Sequence, residues 1–287
     1  MGGVQSPSAD VPFLLVDGHN LLWRAALGFP AEIRSRDRAR VLTGLFGFFA
    51  LLRVAIRDEI DGDPEVLVVF DGQHGNSGRL SVDAGYKAQR PTGAAALTPI
   101  TYLPSVKDGL NRHHIPWIEL DQVEADDVIA TLTAGNPDRE TLIMSADRDY
   151  YQLINDRIRV LNTAMRSGGR HIDATAVHTR YRVWPRQWPD FRALVGDPAD
   201  NIRGIRGIGA GTAAMLLVDG LTLDALPASG RLEHGRGRLV AADYELACKY
   251  RDMIRLNTAV DLTYQPTGRS ALPLPAPRDI VETLGLW

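Results

Sequence analysis

The chain has 287 residues, of which 45% are hydrophobic and 23% charged, and its formal net charge is −3. This composition is close to the average of globular proteins and excludes disordered and collagen-like chains. No stretch reaches the roughly 20 apolar residues of a membrane span. The single Cys248 excludes an internal disulfide and a thiolate metal site. We expect a cytoplasmic globular protein with no membrane partner and a disordered leader over residues 1–11.

Apolar runs alternate with helical patterns along the first part of the chain. Strands are predicted at 13–16, 66–70, 115–119, 141–145 and 158–161. Helices are predicted at about 37–60, at about 101–113 and from Glu124 onward. Strands that alternate with helices predict an α/β fold with a mostly parallel sheet and flanking helices.

From Gly72 to about residue 100 the sequence is rich in glycine, poor in apolar residues and basic. This composition predicts a long functional or mobile insertion. Its basic residues, Lys87 and Arg90, form either a solvated charge run or a clamp that reaches over an acidic site and holds a phosphate. In the second case Tyr86 offers a face on which an unpaired base can stack.

Beyond about Ala174 the pattern is wholly helical and predicts a second, smaller helical domain. A Pro-rich tail follows from about Tyr264, with a last helix predicted at 278–286. The tail either docks on a sliding clamp or packs on its own chain. We expect the tryptophans of these regions and of the third strand to be packing residues: Trp117, Trp184 and Trp188.

Nine acidic residues form five short clusters: Asp17, Asp71, Glu124/Asp126/Asp127, Asp147/Asp149 and Asp197/Asp200. A parallel sheet brings the carboxyl ends of its strands to one edge, where several of these acids fall. Gathered carboxylates raise one another's pKa unless cations neutralise them. Helix capping explains any single cluster but not all five. The all-oxygen set therefore predicts Mg²⁺ or Mn²⁺ and not zinc.

Two neighbouring metal ions could stabilise both the attacking and the leaving oxygen of a phosphodiester displacement. Asp147 and Asp149 are two residues apart, so their side chains converge on one site if the backbone stays extended. The glycine-rich segment from Gly207 to Thr212 is either an ordinary turn between helices or a phosphate-binding hairpin. The adjacent Arg203 and Arg206 favour the phosphate-binding interpretation.

Six motifs in series resemble the 5′ nucleases, a family that comprises flap endonucleases and the 5′-exonuclease domain of bacterial DNA polymerase I. The motifs are LLVDGHNLLWR, VVFDG, GYKAQRP, VEADDVIATL, IMSADRDYYQLI and FRALVGDPADNIRGIRGIGAGTA. The resemblance implies a PIN-like nuclease domain at 12–175 with a flexible arch at 72–100. It also implies a helix-three-turn-helix (helix-hairpin-helix-like) DNA-binding domain at 176–263, followed by the tail at 264–287.

The resemblance also implies roles for individual residues. The first metal site would comprise Asp17, Asp71, Glu124, Asp126, Asp127 and Asp147. The second would comprise Asp149, Asp197 and Asp200, with Asp147 near both. Catalytic roles fall to Lys87, Arg90 and Asp147. DNA contacts fall to Arg24, Arg79, Tyr86, Lys87, Arg90, Arg203, Arg206, Gly207, Ile208, Gly209, Gly211 and Thr212, with K⁺ at the 205–212 hairpin.

The implied activity is 5′-3′ exonuclease and flap endonuclease cleavage of branched DNA, including RNA-primed ends, in Okazaki fragment processing and repair. The implied protein is a monomer that works with a DNA polymerase or a sliding clamp. Two alternatives stay open: a catalytically weak junction-binding module and a PIN-type ribonuclease. The hairpin departs from the pattern because Gly211 stands where polymerase-linked members usually carry lysine. No polymerase follows Trp287, so we expect a free-standing nuclease.

Overall fold

The computed structural model describes residues 11–91, 93–166 and 168–287, and its central element is a six-stranded sheet. Its strands are β1 Phe13–Asp17, β2 Glu65–Phe70, β3 Trp117–Glu119, β4 Thr141–Met144, β5 Ile158–Leu161 and β6 His171–Ile172. Their order is β3-β2-β1-β4-β5-β6, and all neighbours are parallel except β5 and β6. The predicted parallel sheet is confirmed, and β6 is an addition. The predicted leader lies outside the described residues except for Val11.

The two central strands explain why the acids gather at one edge. Every residue of β1 and β2 is buried, as expected for parallel strands that are covered on both faces. Phe13 is in register with Glu65 on one side and with Thr141 on the other. The strands therefore end at nearly the same level, and Asp17 and the residues just after β2 and β4 meet at the carboxyl edge.

The helices, in chain order, are α1 Gly18–Gly28, α2 Thr43–Glu59, α3 Ser77–Val82, α4 Ala94–Leu97, α5 Leu103–Arg112, α6 Ala125–Ala134, α7 Ala174–Tyr181, α8 Trp188–Val195, α9 Ala210–Leu216, α10 Gly237–Ala242, α11 Tyr244–Ile254 and α12 Pro277–Thr283. Within the described residues, no helix is both long and apolar enough to cross a lipid bilayer.

Helices α1, α2, α5 and α12 cover one face of the sheet through a shared apolar cluster. Helix α2 begins at Thr43 and not near residue 37, so the predicted start was wrong. Asp37 instead accepts hydrogen bonds from the Ser35 hydroxyl at 2.6 Å and the Ala39 amide at 3.0 Å. Arg38 has a left-handed φ of 59°. This side-chain-stabilised turn replaces the expected helical turn.

The other face packs against α6 and against the helical region that follows residue 173. Leu15 and Leu67 of the sheet belong to the same apolar cluster as Trp188 and Phe191 of α8. The second region is helical as predicted, and it is joined to the sheet by a continuous core. The prediction that Trp184 is a packing residue was wrong, because Trp184 is 43% exposed. Its ring stacks on His178, with ring centroids 4.2 Å apart.

The C-terminal tail packs on its own chain. Ile280 and Val281 of α12 are fully buried, and α12 contacts α2 and α5. The indole nitrogen of Trp287 donates to the carbonyl of Arg34 at 2.9 Å. Between the two alternatives drawn from the sequence, these contacts favour packing over a free docking segment.

Candidate active site

The acids at the sheet edge are held by short hydrogen bonds from neighbouring elements. Asp17 ends β1 and caps α1 by accepting from the amide of Asn20 at 3.0 Å. Its other oxygen accepts from the Ser145 hydroxyl at 2.9 Å. Burial, followed by the charge of Asp71, raises the pKa of Asp17 to about 7. The carboxylate thus lies where negative charge is poorly solvated.

Asp71 connects β2 to the start of α6. Its carboxylate accepts from the Ala125 amide at 2.8 Å, and its own amide donates to Nδ1 of His19 at 3.0 Å. Because Nδ1 of His19 accepts this bond, the ring proton of the neutral imidazole is on Nε2. The histidines are scattered along the sequence and predicted no role, yet His19 lies beside two of the acids. The one feature of the sequence that could have identified His19 is its position two residues after Asp17.

Asp147 and Asp149 follow β4 but do not continue it in extended form. The amide of Asp149 donates to the carboxylate of Asp147 at 3.0 Å, and a turn of 3₁₀ helix begins at Asp149. The expectation of an extended backbone was therefore wrong. Asp147 is exposed, whereas Asp149 is buried. Burial, and then the charge of Asp147, raises the pKa of Asp149 well above its ordinary value.

The two aspartates at the start of α6 line different cavities. Asp126 lines a cleft of about 670 Å³ together with Asp17, Asp71, Glu124 and Asp147. Asp127, one residue on, lines a different cavity of about 790 Å³ that contains none of the other eight acids. Its carboxylate accepts from Arg79 at 3.0 Å and from the Asn257 amide at 2.8 Å. Asp127 thus lies outside the cleft that the other first-site acids line, and its part in the first metal site stays a prediction.

Arg79 is buried among the α6 acids. It pairs with Glu124 and Asp127, lies 3.6 Å from Asp126, and donates to the Met253 carbonyl at 3.1 Å. Its side chain is only 13% exposed. In this arrangement its guanidinium is enclosed by its own chain, and its contact with DNA stays a prediction.

Lys87 approaches Glu124 from the insertion and pairs with its second oxygen. Burial alone would raise the pKa of Glu124, but the charges of Lys87 and Arg79 outweigh it and hold the pKa below its ordinary value. Burial would likewise lower the pKa of Lys87, yet the charges of Glu124 and Asp200 raise it. The lysine is therefore a buried, charged group at the mouth of the cleft.

Tyr86 is a core residue and not a stacking platform. Its side chain packs in a small cluster with Ala193, Ile202 and Ile254, and only 3% of the residue is exposed. Its hydroxyl lies 3.2 Å from a carboxylate oxygen of Asp200. The sequence could not show this because the apolar partners of Tyr86 come from the distant helical region.

Two acids of the predicted second metal site, Asp197 and Asp200, lie in the loop after α8. Asp197 pairs with Arg192, whose Nε is 3.1 Å away, and it also accepts from the Ala199 amide at 2.9 Å. Asp200 pairs with Arg90 at 3.0 Å. The insertion is joined to this loop through its backbone as well, since the Lys87 amide donates to the Asp200 carbonyl at 3.1 Å.

Two clefts meet at the basic end of the insertion. The 670 Å³ cleft and a second one of about 450 Å³ share Asp71, Lys87, Arg90 and Glu124 in their walls. The acids can therefore be approached from both sides of Lys87. Arg24 lies outside both clefts and pairs with Thr163.

The described parts of the chain contain no group of three or more His, Cys, Asp or Glu side chains that could hold a metal ion as they stand. The predicted convergence of ligands is thus not present in this arrangement. Four cations of the chain pair with members of the acid set: Arg79, Lys87, Arg90 and Arg192. One buried oxygen each of Asp126 and Asp149 nonetheless has no hydrogen-bond partner among the described residues.

The glycine-rich hairpin runs from the loop after Asp200 into the first turn of α9. Gly207, Gly209 and Gly211 are exposed, as are Arg203 and Arg206, whereas Ile208 is buried. A Cβ atom added to Gly209 or Gly211 would meet no other atom within 4 Å. The hairpin thus presents an open, basic surface.

Two family descriptions match consecutive parts of the chain. The "5′-3′ exonuclease, N-terminal resolvase-like domain" matches residues 12–182, and the "5′-3′ exonuclease, C-terminal SAM fold" matches residues 183–273. The chain belongs to the 5′-3′ exonuclease family. It is accordingly an enzyme of this nuclease class, with a helical SAM-type second region.

Sequence relatives agree with this family. DNA polymerase I of Thermus thermophilus is 38% identical over 218 residues, which are 74% of this chain and 24% of that protein. DNA polymerase I of Mycobacterium tuberculosis is 32% identical over 262 residues, which are 88% of this chain and 28% of that protein. The chain thus spans about a quarter of the length of the relatives it matches.

Solved structures share the fold of this 5′-3′ exonuclease. The bacteriophage T5 5′-exonuclease with bound divalent metal ions (zinc) superposes with a TM-score of 0.66 at 21% identity, covering 86% of this chain and 90% of that one. The catalytic core of Rad2 in complex with DNA substrate gives a TM-score of 0.59 at 15% identity, covering 98% and 90%. Human GEN1 with Holliday junction DNA gives 0.59 at 14% identity, covering 97% and 68%.

Proposed function

We propose that this 5′-3′ exonuclease hydrolyses phosphodiester bonds at 5′ ends and 5′ flaps of branched DNA with the help of two divalent metal ions. The observation that carries the proposal is the set of five carboxylates that line one cleft at the sheet edge, whose other wall is the basic insertion. A solved complex of the bacteriophage T5 flap endonuclease with DNA and metal ions supports it.

The donor chemistry fits Mg²⁺ or Mn²⁺. The acids offer only oxygen ligands, and the unpartnered oxygens of Asp126 and Asp149 are buried. Asp17, Asp71, Glu124, Asp126 and Asp147 would hold the first ion. Asp149, Asp197 and Asp200 would hold the second, with Asp147 near both. When bound, such ions supply an activated water and charge neutralisation for the displacement.

The chain's own cations position the phosphate. Lys87 and Arg90 line the same clefts as the acids and pair with Glu124 and Asp200. An entering phosphodiester can compete with these carboxylates for the two cations, because charge-assisted hydrogen bonds to phosphate oxygens are strong. Lys87 and Arg90 would then oppose the charge that develops on the scissile phosphate. Asp147 is the exposed acid that orients the reacting groups between both ligand sets.

The duplex next to the cleavage site would rest on the hairpin. The exposed Gly207, Gly209 and Gly211, together with Arg203 and Arg206, would offer backbone donors and positive charge to the DNA backbone. We also propose K⁺ at the 205–212 hairpin, which residues of the hairpin would hold and whose charge would favour binding of the DNA backbone. These contacts read backbone shape and not base sequence.

The proposed setting is primer removal during lagging-strand synthesis and DNA repair in the cytoplasm. RNA-primed 5′ ends would be among the substrates, and a DNA polymerase or sliding clamp would be the partner of a monomeric nuclease. The DNA polymerase I relatives support this setting, because in them the matching region belongs to a longer protein.

The test is cleavage of a 5′-labelled flap on nicked duplex in Mg²⁺, Mn²⁺ or EDTA, beside blunt duplex and single-stranded RNA. Metal-dependent cuts near the flap junction are expected. Tight flap binding without product in either metal would favour the junction-binding module instead. Preferential cleavage of single-stranded RNA would favour the PIN-type ribonuclease.

A further inference from the structure

One turn of the chain contacts the C-terminal end of α9 and the hairpin residue Gly207, which precedes this helix. The turn spans residues 229–237, between α9 and α10. At the C-terminal end of α9, the guanidinium of Arg231 donates to the carbonyl oxygens of Leu216 at 2.9 Å and Val218 at 3.0 Å. It also pairs with Asp219 at 3.0 Å. Basic side chains commonly satisfy the last carbonyls of a helix in this way.

On the N-terminal side of α9, Arg236 reaches the hairpin itself. Its Nη1 atom donates to the carbonyl oxygen of Gly207 at 3.1 Å. The next residue, Gly237, brings the turn back against Arg231, and a Cβ atom at Gly237 would overlap the Arg231 carbonyl. Arg236 is therefore presented to the hairpin by a turn whose geometry is fixed on both sides.

The guanidinium of Arg236 uses only one of its N–H donors in the bond to Gly207, and no carboxylate of the described residues neutralises its charge. Arg236 is exposed, and in the described part of the chain it has no acidic partner. The segment from Gly207 to Ala214 contains no lysine or arginine of its own. Positive charge therefore comes to the hairpin from outside it, from Arg203 and Arg206 on one side and from Arg236 on the other.

We propose that Arg236 is a phosphate-contacting residue, which extends the hairpin's DNA-binding surface onto the turn before α10. This inference rests on the proposed function, since it assumes that the hairpin binds duplex DNA. The hydrogen bond to Gly207 fixes one edge of the planar guanidinium. The remaining N–H groups face solvent beside the exposed glycines and suit a bidentate contact with phosphate oxygens.

The test is the salt dependence of binding to a fluorescent flap on nicked duplex, measured in EDTA so that no cleavage occurs. Arg236→Gln should weaken binding several-fold and flatten the slope of log K against log salt by about 0.9, as expected when one phosphate contact is lost. The matched control is Arg238→Gln, which removes the same charge two residues on. Arg238 is turned toward the Glu233 carbonyl instead of the hairpin, and this variant should keep the wild-type slope.

A gain of charge on the hairpin provides a second measurement. Gly211→Lys has open space around the new side chain and should restore the slope in the Arg236→Gln background. An unchanged slope in Arg236→Gln, or equal losses in both arginine variants, would overturn the direct contact while leaving the nuclease proposal standing. Failure of the wild-type protein to bind any duplex would overturn both.

Discussion

Lys87 and Glu124 form a buried ion pair at the mouth of the cleft, and Arg79 holds the other oxygen of the same carboxylate. The lysine belongs to the insertion, whereas the glutamate opens α6 at the edge of the sheet. A residue proposed to hold phosphate is thus paired with an acid proposed to bind metal. In the substrate complex, Lys87 can pair with a phosphate instead of Glu124, and Glu124 can bind a metal ion instead of Lys87.

Lys87→Ala should lower the rate of flap cleavage by about 100-fold or more, as expected when one cation is removed from a developing charge. Flap binding should change little, because the hairpin contacts remain. Single-turnover cleavage and anisotropy binding measure the two effects separately. Lys249→Ala is the control, since Lys249 pairs with Asp83 outside the acid cleft. A wild-type cleavage rate in Lys87→Ala would remove the residue from the mechanism.

Divalent metal should stabilise the folded protein. Burial raises the pKa of Asp17, Asp126 and Asp149, so their charged forms destabilise the fold until a cation neutralises them. At 100 times its dissociation constant a bound ion adds about 2.7 kcal/mol to the free energy of unfolding. Thermal unfolding in Mn²⁺ and in EDTA measures the gain.

Neighbouring residues of α6 supply the matched pair for that measurement. Asp126→Asn should lose most of the metal-dependent gain, because Asp126 faces the cleft. Asp127→Asn should keep it, because Asp127 faces a different cavity and pairs with Arg79. Equal gains in the two variants would contradict the placement of the first ion.

Glu65→Gln should destabilise the protein by about 3 kcal/mol at neutral pH, since it leaves the buried Arg139 without its partner. Glu65 also accepts from the amides of Thr267 at 2.7 Å and Gly268 at 2.8 Å. Burial alone would raise the pKa of Glu65, but these bonds and Arg139 lower it.

The pH dependence of that loss has a definite sign. A depressed pKa gives stability that is present above the ordinary value of 4.5 and is lost as the pH falls through the folded-state pKa. The wild-type advantage over Glu65→Gln should therefore shrink in acid, as urea unfolding across pH can show. Glu140→Gln, in an exposed pair with Arg157, should cost less than about 1 kcal/mol. A pH-independent difference for Glu65 would contradict this linkage.

Two glycines of the insertion should respond oppositely to alanine. A Cβ atom at Gly72 would overlap the backbone of Leu120, so Gly72→Ala should cost at least about 1–3 kcal/mol. Gly78 lies in α3 with nothing within 4 Å of its Cβ position, so Gly78→Ala should stabilise by about 0.5–1 kcal/mol. Urea unfolding distinguishes them. Similar effects at both positions would contradict the close approach of the insertion to the loop after β3.

The sheet and the gathering of the acids could be predicted from the sequence because they depend on local signals. The apolar runs before Asp17 and Asp71 are long enough to identify buried parallel strands. Strand β6 was missed because a two-residue strand carries no pattern of its own.

The directions of individual side chains could not be predicted in the same way. Asp126 and Asp127 are adjacent, but successive residues of a helix point about 100° apart, and only the packing of α6 decides which one faces the cleft. Tyr86 and Arg79 belong to a polar, glycine-rich segment whose sequence indicates exposure. Both are buried by contacts with residues more than a hundred positions away, near Ile202 and Met253.

The most direct test of the two-metal site is the number of Mn²⁺ ions that the protein binds, counted by electron paramagnetic resonance in the presence of a flap substrate. We predict two ions per chain for the wild type and one for Asp149→Asn, because the buried carboxylate of Asp149 is proposed to hold the second ion. Binding of no Mn²⁺, or the same number of ions in both proteins, would contradict the claim that the acids at the sheet edge form a two-metal nuclease site.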